Sequence, residues 1–473
     1  MKLHKEQTDS SSLGNTQVGT SGSLAATGRR HECHSLRSVC RPLTHLVATV
    51  LVAIVFGCQG ESGKQQVNGP TPDPATQADP EATNRGWVRI RPRGEASDNS
   101  QLQAEIQRLQ TLGYVSGSET PLDGLVGVTV HHAERTTPGL NVVISGHGHE
   151  AFLMDAAGKT LHRWQKNIEE VFPGRESAAT HFRRAHLFPN GDLLVLYSRA
   201  EGMVKLDRNS NVLWATDNKA HHDFEVQPNG DIYVLARTAH IIPHIDPEKP
   251  TLEDYVVVLD PAGNEKRRVS LLTALVDSDF KELWANRKKR TGDVFHTNSL
   301  HVCAGQHDIQ IEPFRDNRVL VSILRLNLIA LLDMDREQIV WTFTGDFKLQ
   351  HDAQLLTNGR LLLFDNRGLG ERSRILELDI ATGKAVWEYP GDHHQSFYSK
   401  TRGLVKRFPN GNTLITETDS GRAFEVSPAG EIVWEFYNPQ RAGSDGQFIA
   451  ALLAMQRLPA DFPTDWLIPL SES

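Results

Sequence analysis

Two histidines of this chain occupy the same sequence frame. His222 and His351 each begin the pattern His-Asp-x-x-x-x-x-Asn-Gly, and a third histidine, His296, lies in the segment FHTNS. Near neutral pH an imidazole can act as a general acid or base, as a nucleophile or as a metal ligand. Because the two frames match, we expect repeated structural units to hold His222 and His351 at the same height, facing one another across a shared axis.

Arg325 is the fourth candidate for the same site. It lies in VSILRLN (321–327), just past a predicted strand that should run beside this axis. A guanidinium is a permanent cation whose planar donors suit an oxyanion, and it would repel a metal cation. We therefore expect no metal ion here, although histidine is the commonest metal ligand.

Each candidate also has a purely structural interpretation. A histidine beside a hairpin usually only makes hydrogen bonds that hold the fold. Asp223 and Asp352, which follow the two framed histidines, can accept backbone N–H groups near a turn, and Arg325 can form an ion pair between neighbouring units. These alternatives stay open on the sequence alone.

The framed histidines belong to a repeated hairpin pattern. Apolar alternating runs flank Asn-Gly in LFPNGDLLVL (187–196), VQPNGDIYVL (226–235), LLTNGRLLLF (355–364) and RFPNGNTLIT (407–416), with a degenerate copy in PFRDNRVLVSIL (313–324). Asn-Gly between two such runs is a strong hairpin signal, and we expect positive φ at both turn residues.

A second pattern, strand, turn and then Trp, alternates with the first. It occurs as FLMDAAGKTLHRW (152–164), VKLDRNSNVLW (204–214), ALLDMDREQIVW (330–341), LELDIATGKAVW (376–387) and FEVSPAGEIVW (424–434), and without the Trp as VVVLDPAGNEKRRV (256–269). A repeat of about 50 residues with four short strands is typical of a β-propeller. We therefore predict an all-β fold, a six-bladed β-propeller with each Trp packed between blades. An irregular sandwich with internal repeats is the alternative.

Two segments outside the repeats have helical patterns. Residues 270–290 predict one inserted helix at a mouth of the propeller, with one apolar face made by Leu272, Leu275, Val276, Phe280, Leu283 and Trp284. Residues 446–458 predict a second helix. We assign residues 125–440 to the β-propeller catalytic domain and residues 441–473 to a C-terminal helical tail packed on it.

The N-terminal part has the character of an export signal. Residues 1–57 form a leader that ends in the apolar run LVATVLVAIVFG (46–57), directly before Cys58. This junction resembles a bacterial lipobox, which makes Cys58 the expected lipidation site; an ordinary secretory signal is the alternative. Residues 58–100 then form a lipid-anchored flexible linker and residues 101–124 a short helical docking segment. We expect a lipid-anchored protein of the cell envelope, on its periplasmic or extracellular face.

Charge and cysteine content exclude further classes of protein. The net charge of −8 argues against a nucleic-acid binder, and no apolar run reaches the roughly 20 residues of a spanning helix, so a multi-pass membrane protein is excluded. With Cys58 lipidated and the leader removed, Cys303 alone remains, and no internal disulfide can form.

Several stretches together resemble the bacterial aryl-sulfate sulfotransferases, the group that does not use a nucleotide sulfate donor. They appear in family order between about residues 138 and 438. They read HHDFEVQPNGDIYVLAR (221–237), FHTNS (295–299), VLVSILRLNLIALLD (319–333), QHDAQLLTNGRLLLFDN (350–366), SRILELDIATGKAVWEY (373–389) and GLVKRFPNGNTLITETDSGRAFEVSPAGEIVWEFYN (403–438).

The resemblance implies a function and a set of site residues. It implies transfer of a sulfuryl group from a phenolic sulfate ester to a phenolic acceptor, without a cofactor, by a ping-pong mechanism. The family's transient sulfohistidine falls on His351, its two further active-site histidines on His222 and His296, and its arginine on Arg325. Asn298, in the family context H-x-N-S, is implied as a substrate-binding residue that can orient His296.

Two other functions fit a propeller. One is a non-catalytic surface propeller that binds a ligand or a partner protein, since fold alone does not fix function. The other is a quinone-dependent dehydrogenase, which is usually larger and needs a cofactor pocket.

Overall fold

The hairpin turns set the geometry of the repeat. In the computed structural model the glycine of each Asn-Gly pair takes positive φ, for example 87° at Gly191 and 81° at Gly359. The asparagines do not, which corrects the expectation for both turn residues. The Asn190 side chain instead accepts the backbone N–H of Asp192, at 3.2 Å, and the other three Asn-Gly turns repeat this contact. Each turn therefore needs its glycine for the left-handed position and its asparagine as a local acceptor.

The structure describes residues 117–118, 125–175, 180–200, 202–303, 314, 317–391, 397–442 and 448–467. The leader, Cys58, the linker and the helix expected within 101–124 lie outside these ranges. None of the helices in the described ranges has the length and apolar character of a membrane span.

Strands make up nearly all regular structure of the described chain. Those up to the third blade are β1 (Gly117–Ser118), β2 (Gly127–His131), β3 (Asn141–Ser145), β4 (Glu150–Met154), β5 (Thr160–Gln165), β6 (Phe182–Leu187), β7 (Leu193–Tyr197), β8 (Met203–Leu206), β9 (Val212–Thr216), β10 (Ala220–Val226), β11 (Ile232–Ile242), β12 (Asp246–Leu259), β13 (Glu265–Ser270) and β14 (Gly292–Asp293). The later strands are β15 (Thr297–Cys303), β16 (Arg318–Ile323), β17 (Leu328–Asp333), β18 (Gln338–Phe343), β19 (His351–Leu355), β20 (Arg360–Asp365), β21 (Arg374–Asp379), β22 (Ala385–Tyr389), β23 (Leu404–Arg407), β24 (Thr413–Glu417), β25 (Arg422–Val426), β26 (Ile432–Tyr437), β27 (Arg441–Ala442), β28 (Phe448–Ala450) and β29 (Leu452–Arg457).

These strands form six antiparallel sheets, which confirms the predicted six-bladed propeller. Blade 1 has the order β29-β3-β4-β5, and blades 2, 4 and 5 are β6 to β9, β15 to β18 and β19 to β22. Blade 3 is β10 to β13 with β14 added in parallel to β12, and blade 6 is β23 to β26 with β2 on its outer edge. A small sheet, β1-β28-β27, lies outside the blades.

Both ends of the described chain close the ring. The C-terminal strand β29 pairs with β3 and supplies the first strand of blade 1, while β2 completes blade 6 against β26. The segment that we predicted as a helical tail is therefore strand, and the propeller extends past residue 440. Leu452, Leu453 and Met455 are buried, because this strand is covered on both faces by neighbouring blades, and such a continuous apolar run does not distinguish strand from helix.

The apolar core is divided among the blade interfaces. Six buried clusters fill the six junctions between successive blades, including the junction of blade 6 with blade 1. The Trp side chains lie at these junctions as predicted. The indole N–H of Trp434 in blade 6 donates to the Ala156 carbonyl of blade 1 at 2.8 Å. That of Trp387 in blade 5 donates to the Pro428 carbonyl of blade 6 at 3.2 Å.

The inserted segment holds two short helices instead of one. These are α2 (Leu271–Val276) and α3 (Glu282–Ala285), and an earlier short helix, α1 (Ile168–Val171), lies in blade 1. The Ser270 side chain caps α2, and Val276 and Leu283 are exposed at 37% and 36%. The prediction of one apolar helical face is therefore wrong: Val276 ends the first helix and Leu283 lies in the second, and both side chains face solvent.

Candidate functional site

His351 begins the first strand of blade 5 and is 4% exposed. Its Nδ1 lies 2.8 Å from Asn366 Oδ1 and 3.0 Å from the Leu349 carbonyl oxygen. The Asn366 amide is fixed in this orientation because its Nδ2 donates to the carbonyls of Ser399, at 2.6 Å, and Arg402, at 2.8 Å. Both neighbours of His351 Nδ1 are therefore acceptors, so Nδ1 carries the proton and Nε2 carries the lone pair.

Burial keeps this imidazole neutral. It lowers the pKa of His351 from 6.5 to about 3, although the hydrogen bond to Asn366 acts in the opposite direction. A neutral ring with a fixed Nδ1–H presents Nε2 as a nucleophile or a base at any pH near neutrality.

His222 occupies the matching position in blade 3. It is 1% exposed, has φ of 61° and lies within a bulge of β10 between Ala220 and Phe224. Its Nδ1 is 2.6 Å from Nδ1 of His221, so one of the two rings donates and the other accepts. Burial, and next the charge of Arg183, hold the pKa of His222 well below its usual value.

His296 joins this group from blade 4. Its ring centroid lies 4.9 Å from that of His222, edge to face, and its Nδ1 lies 2.8 Å from Asp293 Oδ2. The same carboxylate oxygen accepts Nε of Arg325 at 3.1 Å and Nη2 at 2.9 Å. Burial alone would raise the pKa of Asp293, but the hydrogen bonds and charges of His296 and Arg325 outweigh it and hold that pKa far below its usual value.

Arg325 thus reaches the histidines through Asp293. It lies in a short 3-10 turn, Leu324–Leu326, and its backbone N–H donates to the Phe295 carbonyl at 3.0 Å. Its side chain is 48% exposed, against 3% for Asp293. The structure therefore brings His222 and His296 into contact and places Arg325 at the edge of the site, with two of its donors engaged by a carboxylate.

Asn298 supports the strand of His351. It is 2% exposed, and its Nδ2 donates to the carbonyl oxygen of Gln350 at 2.8 Å. Its Oδ1 is buried and has no hydrogen-bond partner among the described residues. Its substrate-binding role stays a prediction, with this acceptor as the atom available for it.

The two aspartates that follow the framed histidines bind the next blade. Asp223 Oδ2 accepts the backbone N–H of Leu300 at 3.2 Å, and Asp352 Oδ2 accepts that of Val405 at 2.6 Å. Arg184 lies 3.4 Å from Asp223 and donates to the Leu453 carbonyl at 2.7 Å. The Arg184 contacts join blade 2 to blades 1 and 3, and the two aspartates join blade 3 to blade 4 and blade 5 to blade 6, as the structural interpretation of the aspartates expected.

Sequence reasoning missed five residues around the histidines, of which Asp293 is described above. Asn366 ends the segment QHDAQLLTNGRLLLFDN (350–366), and only its contacts reveal its role. His221 and Asp254 form a second layer: His221 Nε2 is 3.8 Å from Asp254 Oδ1, and Thr297 N–H donates to Asp254 Oδ2 at 2.7 Å. Arg183 is 3% exposed, and a simple count would have found it, because it lies seven residues before Asn190, as His222 does before Asn229.

The site has the composition of an anion-binding acid–base centre. It combines the buried neutral imidazoles of His222 and His351, the carboxylate of Asp293 and nearby guanidinium groups. This combination suits the transfer of an anionic group. In the described ranges no three His, Cys, Asp or Glu side chains are grouped so that they could hold a metal ion.

Comparison with known proteins gives one match to a family. The sequence model of the arylsulfotransferase (ASST) family matches residues 180–439, which covers blades 2 to 6. No curated protein matches the sequence significantly.

Solved structures show weak likeness. A protein of unknown function from Bacteroides caccae has a TM-score of 0.43 at 11% identity, with 63% of this chain and 94% of that chain covered. A streptogramin B lyase has 0.39 at 13%, with 72% and 95% covered. Virginiamycin B lyase from Staphylococcus aureus has 0.36 at 10%, with 68% and 89% covered. At these scores the similarities carry no argument about chemistry.

Proposed function

The chain belongs to the arylsulfotransferase (ASST) family, and we propose that it moves a sulfuryl group from an aryl sulfate ester to a phenolic acceptor through a covalent sulfohistidine at His351. One observation carries this proposal. His351 Nδ1 faces two acceptors, Asn366 Oδ1 and the Leu349 carbonyl, so the lone pair lies on Nε2 of a buried neutral ring. A nucleophilic mechanism needs that tautomer.

The first half-reaction sulfates His351. The Nε2 lone pair attacks sulfur, the N–S bond forms and the S–O bond to the aryl group breaks, so a phenolate leaves. The His351 ring keeps its Nδ1 proton and becomes a cation, which Asn366 Oδ1 stabilises by accepting that proton's hydrogen bond. In the second half-reaction the oxygen of an acceptor phenol attacks sulfur and the N–S bond breaks.

His222 and His296 serve the proton transfers at the two phenol oxygens. Asp293 accepts from His296 Nδ1, which leaves His296 Nε2 to donate a proton to the leaving phenolate or to accept one from the acceptor phenol. His222, in contact with the His296 ring and hydrogen-bonded to His221, extends this network. The Asp293 carboxylate fixes the orientation of the His296 ring, as an acid–base catalyst requires.

We also propose that this chemistry takes place in the cell envelope. The apolar run before Cys58 and the polar segment after it support a lipid anchor followed by a flexible tether. We propose that the protein is attached to the membrane through Cys58. Its partners are a small-molecule donor and acceptor, and no nucleic acid.

Steady-state kinetics with p-nitrophenyl sulfate as donor and phenol as acceptor test the function. We expect parallel double-reciprocal lines, since the donor product leaves before the acceptor binds. His351→Asn should abolish transfer, whereas the exposed His131→Asn serves as the matched control and should retain it. Intersecting lines, or near-normal transfer by His351→Asn, would contradict the covalent mechanism.

A further inference from the structure

Arg183 occupies the same repeat position as the two framed histidines. Counted back from the asparagine of each Asn-Gly turn, the seventh residue is Arg183 in blade 2 (190 − 183 = 7), His222 in blade 3 (229 − 222 = 7) and His351 in blade 5 (358 − 351 = 7). In blade 6 the same count reaches Gly403 (410 − 403 = 7). Blade 2 therefore offers a guanidinium where two other blades offer an imidazole.

The strand geometry at this position is also shared. The register of β6 shifts between Phe182 and Arg184, which makes Arg183 the residue of a bulge. The first strand of blade 3 has a register shift that contains His222, between Ala220 and Phe224, and that of blade 5 has one that begins at His351 and ends at Gln354. A bulge changes the direction of a side chain relative to its strand and often does so next to an active site.

Arg183 is buried, and its charge acts on the histidines. It is 3% exposed. After burial, its charge is the next largest influence that lowers the pKa of both His181 and His222, and it also contributes to the lowered pKa of His351. Its positive charge therefore acts on rings of blades 2, 3 and 5. Arg325, in contrast, is half-exposed.

We propose that Arg183 binds the oxygens of the sulfuryl group during its transfer to and from His351. This inference rests on the proposed function and adds a catalytic residue to it. In the transition state of such a transfer the negative charge is spread over the three oxygens that remain on sulfur, by analogy with phosphoryl transfer. A guanidinium supplies paired, planar donors that match two of these oxygens, and a low-dielectric site makes their effect larger than in water.

The same contact would act in both half-reactions. When the aryl S–O bond breaks and the N–S bond to His351 Nε2 forms, the SO3 oxygens stay on the side of Arg183 while the aryl oxygen leaves toward His222 and His296. No proton moves to or from Arg183, and no oxidant or reductant is needed. Arg183 therefore contributes charge and orientation only.

Single-turnover sulfation by p-nitrophenyl sulfate tests the assignment. Arg183→Ala should slow release of p-nitrophenolate about 10²- to 10³-fold, as loss of an oxyanion donor does elsewhere, with a larger effect on the rate constant than on donor binding. Guanidinium ion should restore part of that rate, because it can occupy the space of the lost side chain. Arg163→Ala, whose side chain is 50% exposed on blade 1, is the matched control and should show neither effect.

The possible outcomes distinguish the role of Arg183 from the proposed sulfotransferase function. A folded Arg183→Ala variant that sulfates His351 within about threefold of the wild-type rate would overturn the role of Arg183 alone, since the effect expected is at least 10²-fold. A wild-type protein that transfers nothing from any aryl sulfate would overturn the proposed function and this inference with it. If Arg183→Ala does not fold, Arg183→Lys decides: it keeps the charge without the paired donors, so we expect less than about a tenth of the wild-type rate.

Discussion

Replacing Asn366 by leucine should slow sulfation of His351, because Asn366 fixes the tautomer of the proposed nucleophile. The variant removes the acceptor that lies 2.8 Å from His351 Nδ1, while the Leu349 carbonyl at 3.0 Å remains. Loss of one of two hydrogen bonds to a buried ring costs about 1–2 kcal/mol. Applied to the developing imidazolium of the transition state, this predicts a roughly 5- to 30-fold slower first half-reaction.

The assay is the pre-steady-state release of p-nitrophenolate from p-nitrophenyl sulfate. Asn366→Asp separates orientation from structure: it keeps an acceptor for His351 Nδ1 but loses the donors to Ser399 and Arg402. We therefore expect Asn366→Asp to react faster than Asn366→Leu, and the exposed Asn209→Leu to react like the wild type. A wild-type rate in Asn366→Leu, or equal rates in both Asn366 variants, would show that Asn366 does not fix the tautomer of His351.

Three further predictions concern pH, the carboxylate and ring closure. Burial lowers the pKa of His351 to about 3, so the rate constant for its sulfation by p-nitrophenyl sulfate, measured by stopped flow, should stay constant from about pH 8 to pH 5. A tenfold loss of that rate constant per pH unit below 6.5 would show that His351 titrates as an ordinary imidazole. Asp293→Asn should slow transfer about 10- to 100-fold, since it removes the carboxylate that accepts from His296 Nδ1. Transfer from donors whose leaving phenol has a high pKa should suffer most, and equal loss for all donors would argue against acid catalysis by His296. Trp434→Phe should lower the free energy of unfolding by about 1 kcal/mol through loss of its bond to the Ala156 carbonyl, and an unchanged urea midpoint would contradict a role in closing the ring.

Acid should also lower the free energy of unfolding, because burial of His351 lowers its pKa in the folded state. His351 has a folded-state pKa below its unfolded value of 6.5, so between about pH 6.5 and pH 3 the unfolded chain binds more protons. The contribution of this residue to stability is therefore complete above pH 6.5 and is lost as the pH falls. Activity measurements in acid need unfolding curves at the same pH, so that loss of folded protein is not taken for protonation of the nucleophile.

Local sequence patterns were sufficient for most of the blades. Asn-Gly turns, Asp-led turns and Trp at fixed spacing are all signals within one blade, and they predicted six blades and the positions of His222 and His351. Ring closure depends on pairing between distant segments: Leu452 pairs with Ser145, more than 300 positions away. Nothing within residues 446–458 indicates that partner, so the apolar run was interpreted as a helix.

The sequence predicted site residues only where the same chemically active residue type recurs at the same repeat position. A search for repeated imidazoles finds His222 and His351 but passes over Arg183, because the residue type changes while the position does not. Asp293 and Asn366 act through contacts with His296 and His351 that depend on the tertiary fold. Their roles follow from which atoms they face, and no spacing in the sequence expresses that.

Mass spectrometry of the protein mixed with an aryl sulfate and no acceptor tests the covalent intermediate most directly. We expect an added SO3 group on the peptide that contains His351, removed when a phenol is supplied and missing in His351→Asn. An adduct on another residue, or transfer to phenol with no adduct at any time during turnover, would contradict it.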